Sequence, residues 1–344
     1  MAEMNRRLLL ARRPQGRPKP EDFSFVEEQR PELGPGEVLC RTIYLSLDPY
    51  MRGRMNEAKS YAPFVRLGDV MVGETVSQVV KSQAPDVEEG AFVRAHGGWQ
   101  TYTVHDARDV ALLDPGAAPL STRLGVMGMP GFTAYGGLLG IGKPKAGETL
   151  VVAAATGPVA SAAAQIAKIK GLRTVGIAGG PEKCALAVER FGFDVCLDRK
   201  EGDLEKRLAE ACPDGVDIYV ELVGGPVLQA VLPLLNDFAR MPVIGTIAHY
   251  NATSLPDGPD KTPLFMRHVL VKRLTVRGMI VYDFEPLRAD FERDMGAWLK
   301  AGKVAYLEDI VDGLDRAADA FIGMLEGANT GKLLVRVSDD PTLR

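Results

Sequence analysis

The chain has 344 residues, 46% hydrophobic and 25% charged, with a formal net charge of −4 at neutral pH. That length suits about two domains, the composition is that of an ordinary globular protein, and the mild acidity disfavours nucleic acid or an anionic membrane surface as the main partner. No stretch approaches the ~20 apolar residues needed to span a bilayer. Leu8-Leu-Leu-Ala11, set among Arg6, Arg7, Arg12 and Arg13, is too short for a signal-peptide core and no small-residue cleavage site follows it, so a cytoplasmic protein is expected.

Residues 1–128 read as mostly β. Arg6 to Ala11 is a candidate first strand, and Arg17-Pro-Lys-Pro20 and Pro31-Glu-Leu-Gly-Pro-Gly36 are turn-rich punctuation. Glu37 to Ser46 is rich in strand formers. Val70 to Val80 alternates around Gly73, which suggests a bent barrel strand. Ala91 to Ala95 and Trp99 to Val104 add two short strands, and the pattern suggests a small barrel.

From residue 129 strands alternate with helices, the pattern of a parallel sheet covered on both faces. Leu124 to Leu139 reads as helical around a break at Pro130-Gly131. Helices are expected at Glu182–Phe191, Leu204–Ala211, Pro226–Leu235 and Phe284–Ala301. Strands are expected at Val195–Leu197, Val216–Val223, Met241–Ile247 and Leu274–Val281, with a proline-rich loop at Thr253–Pro263. The last stretch, Tyr306 to Val337, has strand, helix (Ala317–Glu326) and strand character. The domains are therefore drawn at 1–128, 129–304 and a C-terminal segment, 305–344, that returns to the first.

One stretch organises the second half. The apolar run Leu150–Ala155 breaks at Gly157-Pro158, a small-residue helix follows, and Thr174–Ala178 closes a strand–turn–helix–strand unit. Such units bind dinucleotides, with the pyrophosphate on the unpartnered N–H groups of the helix start. Against Gly-x-Gly-x-x-Gly the turn reads Ala155-Thr-Gly157-Pro-Val-Ala160, with glycine only in the middle, so the turn alone equally fits a plain buried helix–strand unit. The second strand ends in Ala178-Gly-Gly-Pro-Glu-Lys183 without a carboxylate. An acid there would hold ribose hydroxyls and repel a 2′-phosphate. Its absence, with Lys183 nearby, favours a 2′-phosphate, since a cation in a helix's first turn opposes the helix dipole and has little structural reason to be there.

Other chemistries lack support. A catalytic zinc needs about three converging ligands, and the barrel half offers only Cys40, His96 and His105 without paired spacing. Cys40, Cys184, Cys196 and Cys212 are scattered and read as free thiols. Ser161 lacks a nucleophile-elbow pattern. His96, His105, His249 and His268 read as ordinary hydrogen-bonded or surface residues. Tyr50 lies in a turn, and Tyr250 and Tyr282 follow strand ends, where open α/β sheets bind ligands. A tyrosine so placed more often simply packs its ring.

Several segments carry a resemblance to a known family. They are Leu45-Ser-Leu-Asp-Pro-Tyr-Met-Arg52, Gly128-Met-Pro-Gly-Phe-Thr-Ala-Tyr-Gly-Gly-Leu-Leu139, the turn at 155–160, Gly176-Ile-Ala-Gly-Gly-Pro-Glu-Lys183, Gly245-Thr-Ile-Ala-His-Tyr-Asn251 and Gly327-Ala-Asn-Thr-Gly-Lys332. The chain resembles the zinc-independent medium-chain dehydrogenases/reductases, in the branch of prostaglandin reductase, plant alkenal double-bond reductases and curcumin reductase. The resemblance implies an α/β fold: a Rossmann-type doubly wound parallel sheet joined to a GroES-like β-barrel domain. It implies NADPH as cofactor, an enal or enone as small-molecule substrate, and a homodimer. Gly157, Pro158, Val159 and Ala160 would seat the pyrophosphate, with Gly180 beside them, and Lys183 would hold the 2′-phosphate. Val223, Gly245, Ile247, Tyr250, Met279, Ile280 and Val281 would line the nicotinamide half, with Pro130, Thr133 and Asn329 also at the cofactor. Three positions depart from common family usage. Arg199 stands where many relatives carry tyrosine, Leu222 where many carry asparagine, and Ala160 replaces the last glycine of the turn.

The implied reaction is reduction of a carbon–carbon double bond conjugated to a carbonyl. Hydride goes to the β-carbon, a hydroxyl stabilises the enolate oxygen, and the α-carbon is protonated. Tyr250 is the first candidate for that hydroxyl and Tyr50 the second, with the cofactor ribose as a third source. Two rivals stand beside this reading: an NADPH:quinone oxidoreductase, and an NADPH-binding sensor or structural protein without turnover.

Overall fold

The computed structural model describes residues 4–256 and 258–343; residues 1–3, Asp257 of the proline-rich loop and Arg344 lie outside the described residues. The chain forms two compact units, one running to Leu124 and resuming at Glu308, the other spanning Gly125–Leu307.

In the first unit, β1 (Met4–Leu10) and β2 (Phe23–Gln29) pair antiparallel, Leu10 opposite Phe23. The mostly buried strand β3 (Glu37–Ser46) is flanked by β4 (Thr75–Ser82) and β6 (Tyr102–Asp106), with β5 (Phe92–Ala95) and β7 (Ala111–Leu113) beyond β4. A short helix, α1 (Tyr50–Arg54), follows β3. The regular ladder of β4 begins at Thr75 and not at Val70, because the chain at Gly73 presses against β3. A Cβ there would lie 2.7 Å from Leu45 Cδ1 and 3.3 Å from the Ser46 carbonyl. Burial of Phe23, Trp99 and Phe321 anchors this barrel, the first two rings stacked at 5.6 Å and Phe321 edge-on to Trp99 at 5.5 Å.

The second unit is a Rossmann-type sheet. Its strands are β8 (Thr149–Ala153), β9 (Arg173–Ala178), β10 (Val195–Asp198), β11 (Val216–Val220), β12 (Leu235–Val243) and β13 (Thr275–Gly278). Among the described residues their order is β10-β9-β8-β11-β12-β13, and every pair is parallel. Alternate residues of one strand feed different cores: Leu150 and Val152 pack with one apolar cluster, Val151 and Ala153 with the other. The covering helices are α2 (Met129–Tyr135), α3 (Pro158–Ile169), α4 (Pro181–Phe191), α5 (Leu204–Ala211), α6 (Gly225–Val231), α7 (Thr262–Val271) and α8 (Arg288–Lys300). Ala160, Ala162, Ala163, Ala164 and Ala167 of α3 are buried, so a helix of small residues lies close on the sheet.

Several boundaries differ from the sequence expectation. Pro130 does not break a helix but opens one: it sits in the first turn of α2, where a missing N–H costs nothing. The helix continues to Gly142 with π geometry, and Gly136 and Gly140 admit Phe284 against the backbone. β11 and β12 stop short of the expected ends, at Val220 and Val243, because the residues beyond turn into the loops described below. Pro286 keeps Val281–Leu287 in a 3-10 turn, so α8 starts at Arg288 and not Phe284. β2, α1 and α7 were not expected. α7 follows the proline-rich loop and begins at Thr262.

The chain then re-enters the first unit. β14 (Glu308–Asp312) runs parallel to β15 (Lys332–Arg336), which pairs antiparallel with β3, Leu334 opposite Ser46; α9 (Ala317–Leu325) lies between them in sequence.

Candidate functional site

Strand order reverses between β8 and β11, and in such sheets the crevice at the carboxyl ends of the strands takes the ligand. Beyond β8, Ala154 adopts φ +54 and its carbonyl accepts from Gly157 N–H at 2.7 Å, which tightens the turn before α3. A Cβ on Gly157 would stand 3.1 Å from that carbonyl. Pro158 opens α3, so the first helix N–H groups able to meet an anion belong to Val159 and Ala160.

Beyond β9, Gly180 takes φ +115, which only glycine adopts without strain, and caps α4. Asp198 Oδ1 accepts from Gly180 N–H and Lys200 N–H, both at 2.9 Å. These bonds, that from Lys200 foremost, hold its carboxyl below the usual range. Arg199 N–H bonds the Ala178 carbonyl at 2.9 Å, which brings its side chain over the glycines. Arg199 Nε and Nη2 lie 3.5 and 3.7 Å, and Lys200 Cε 3.8 Å, from the point where a Cβ on Gly179 would stand. Lys183 is half-buried in the first turn of α4. Three cations thus belong to the rim of this strand end. Lys200 was not singled out in the sequence, although its place next to Arg199 was the available signal.

Beyond β11 and β12 the chain folds as a linked pair of turns. Ile244 and Gly245 N–H groups bond the Glu221 carbonyl at 2.9 and 3.2 Å. Ile247 N–H bonds the Leu222 carbonyl at 3.2 Å, and Ala248 N–H the Val223 carbonyl at 3.0 Å. So Leu222 and Val223 hold the second turn through their main chain, which no side-chain identity alters. Tyr250 folds back on this pair: its hydroxyl oxygen lies 3.1 Å from a Cβ built on Gly245 and faces the Thr246 N–H. Burial pushes the phenol above its ordinary pKa, partly offset by that N–H, so at neutral pH it keeps its proton to donate. Beyond β13, Met279 is buried, Ile280 and Val281 are half-buried, and Tyr282 turns outward, 58% exposed.

The second unit therefore gathers Gly157–Ala160, Gly180, Lys183, Arg199, Val223, Gly245, Ile247, Tyr250 and Met279–Val281 at the carboxyl ends of its strands. Pro130 and Thr133 are buried in α2 of the same unit, the Thr133 hydroxyl 3.5 Å from Met129 Sδ. Tyr50 and Asn329 belong to the first unit. Tyr50 heads α1, with the Arg54 guanidinium 5.7 Å from its ring centroid. Asn329 Nδ2 donates to the Gly331 carbonyl at 2.7 Å. Among the described residues no group of three or more His, Cys, Asp or Glu is placed to hold a metal ion, and no helix is long and apolar enough to cross a membrane.

A doubly wound parallel sheet with a tight turn before α3 and cations at its second strand end is the architecture of dinucleotide-binding proteins. Comparison with known proteins agrees. Residues 6–113 match the family model described as the N-terminal domain of oxidoreductase, and residues 158–301 the model described as zinc-binding dehydrogenase. The chain is 54% identical over 339 residues to the NADPH-dependent curcumin reductase of Escherichia coli, covering 98% of each chain. It is 39% identical to prostaglandin reductase 1 of Bos taurus, over 93% of this chain and 95% of that one. The crystal structure of CurA in complex with NADPH from Vibrio vulnificus superposes with a TM-score of 0.94 at 50% identity, covering 97% of this chain and 100% of that one. The chain belongs to the medium-chain dehydrogenase/reductase family, in the branch of the curcumin and prostaglandin reductases.

Proposed function

We propose that the protein is an NADPH-dependent reductase of carbon–carbon double bonds conjugated to an aldehyde or ketone. The observation that carries this reading is the 54% identity with the curcumin reductase across 98% of both chains. The site fits the cofactor: α3 offers N–H groups at its start behind the tight Gly157 turn, and Arg199, Lys200 and Lys183 rim the end of β9, where the neighbouring Asp198 carboxylate is bonded to the Gly180 and Lys200 N–H groups. NADPH, when bound, supplies the hydride. Gly157–Ala160 and Gly180 would seat its pyrophosphate, and Lys183 and Arg199 its 2′-phosphate. The residues after β11, β12 and β13, with Pro130 and Thr133, would shape the nicotinamide half; Asn329 is a further candidate contact.

The chain's own part in the chemistry is to stabilise charge. As hydride reaches the β-carbon, negative charge grows on the carbonyl oxygen. A neutral hydroxyl aimed at that oxygen donates a hydrogen bond that strengthens as charge develops. Tyr250 is our first choice, with Tyr50 second. The half-buried apolar groups of Ile247, Ile280 and Val281 exclude water from the nicotinamide side.

We also infer a homodimer. β13 is an edge strand of the sheet whose four residues are all exposed, and Phe238, Leu264, Met266, Leu270 and Val271 are exposed in the same unit. An open sheet edge with exposed apolar side chains in the same unit invites association with a second copy, and light scattering on an eluting column peak checks the mass. A cytoplasmic location suits the four free thiols. The decisive assay is oxidation of NADPH against NADH across a graded series of alkenals, enones and quinones. Turnover of enals and enones with NADPH supports the reading. Quinone turnover alone would move the protein to quinone reduction, and tight binding with no turnover to a sensor.

A further inference from the structure

Glu221 is an acidic residue in an otherwise apolar strand end, 1% exposed. Its main chain joins β11 to β12: its N–H bonds the Pro242 carbonyl at 3.0 Å, and its carbonyl takes the Ile244 and Gly245 N–H groups. Its side chain turns back on the next residues. Oε1 accepts from Val223 N–H at 2.6 Å and Gly224 N–H at 2.7 Å. Gly224, the cap of α6, and Gly225, its first residue, adopt φ +75 and +59, values that favour glycine. The Tyr219 hydroxyl approaches the same carboxyl from two residues back. Neither that hydroxyl nor Glu221 Oε2 makes a regular hydrogen bond among the described residues.

A carboxyl placed in an apolar sheet end destabilises the fold unless its bonds return more than burial removes. Here those bonds go to one turn, and that turn has a second dependent. The Leu222 and Val223 carbonyls take the N–H groups of Ile247 and Ala248, and the Gly224 Cα faces the His249 ring, with a built Cβ 3.2 Å from His249 Cδ2. The chain of contacts runs from Glu221 to the 222–225 turn, to the 246–250 turn, to the Tyr250 hydroxyl. Without the Oε1 bonds, two N–H groups at a left-handed glycine pair lose their acceptor, and the turn is free to sample other conformations.

We propose that Glu221 is a positioning residue: it touches neither cofactor nor substrate but sets the shape of the paired turns that carry Val223, Ile247 and Tyr250. The consequence for NADPH rests on the functional reading above; the consequence for the turns does not. The test therefore has two arms on the full-length protein. Hydrogen–deuterium exchange without ligand reads the turns, and calorimetric titration with NADPH reads the site. Glu221→Met fills the volume but accepts no hydrogen bond, Glu221→Asp falls one methylene short, and Glu221→Gln keeps an acceptor oxygen. Faster exchange of residues 222–225 and 246–250 is expected in the Met and Asp variants, with NADPH bound at least about tenfold more weakly by both. The Gln variant should recover most of both. Slow exchange in these turns in a folded Met variant, or in the Asp variant should the Met variant not fold, overturns the proposal. So does wild-type NADPH affinity in such a variant. A wild-type protein that does not bind NADPH removes the functional reading and leaves the exchange arm to decide the positioning role.

Discussion

Lys332 of β15 donates to Asp48 Oδ1 at 2.8 Å and to the Leu47 carbonyl at 2.7 Å, across 284 residues of sequence. Both side chains are buried, at 3% and 7% exposure, and the Ser46 hydroxyl donates to the other carboxylate oxygen of Asp48. The Met51 N–H bonds the Asp48 carbonyl at 3.1 Å, so the returning strand holds the turn from which Tyr50 projects. Removing one member of a buried pair strands the other charge, at a cost of about 3–5 kcal/mol. Lys332→Met should lower unfolding stability in urea by that order, and pairing it with Asp48→Leu should recover much of the loss. A Lys332→Met protein as stable as the wild type would mean that water replaces the ammonium.

Tyr250→Phe keeps the ring and removes the hydroxyl that lies over Gly245. If the phenol stabilises the enolate oxygen, kcat should fall roughly a hundredfold, the usual loss of about 3 kcal/mol for one such donor, with NADPH affinity little changed. A variant that turns over as the wild type hands the role to Tyr50 or to the cofactor ribose, and Tyr50→Phe then separates those two.

How far the sequence carried these conclusions depended on what each feature rests on. The α/β rhythm and the barrel strands were legible because periodicity follows burial, and the free thiols followed from their spacing. α7 was missed because it emerges from a proline-rich loop and has no buried residue, so it carries no clear apolar stripe. β2 was missed because Glu27, Glu28 and Gln29 make its second half polar and exposed. The glycine fingerprint at 155–160 read poorly for a physical reason: Ala154 adopts the positive φ, and the closeness of β9 to the turn is provided by Gly176, whose Cβ would meet Ala155 Cβ at 2.9 Å. Glu221 was visible only as an acid in an apolar run, since its partners are main-chain N–H groups that no residue pattern encodes.

The rim beyond β9 makes a prediction about cofactor choice. Arg199 presents a planar guanidinium and Lys183 and Lys200 present point charges, and each bond to a 2′-phosphate oxygen would be charge-assisted. Lys183→Ala and Arg199→Ala should each raise the KM for NADPH about tenfold, a loss of roughly 1.4 kcal/mol within the range of hydrogen bonds to charged groups, and leave the KM for NADH nearly unchanged. Lys200→Ala should do the same to a smaller extent, because it is the methylene Cε of Lys200, at 3.8 Å, that reaches the Cβ position of Gly179, where Arg199 brings two guanidinium nitrogens. An equal effect on both cofactors would place these cations away from the 2′-phosphate.

The thiols make a prediction about pH. Burial pushes Cys40 up to about 12 and Cys212 up to about 11 from an ordinary value of 9.0. Cys184 and Cys196 are raised too, in both cases first by burial. Above pH 9 the unfolded chain loses these protons while the folded chain keeps them, so the folded state binds more protons and stability falls as pH rises. The loss should begin near pH 9 and continue until the folded-state thiols themselves ionise, near 11 for Cys212 and 12 for Cys40. Denaturant titrations between pH 8 and pH 11 should show a falling midpoint, and Cys40→Ser and Cys212→Ala should change its slope. In the same samples a thiol reagent at pH 8 should react slowly with the folded protein and promptly with all four cysteines in denaturant. Rapid labelling of Cys40 in the folded protein would show that β3 opens far more readily than its burial implies.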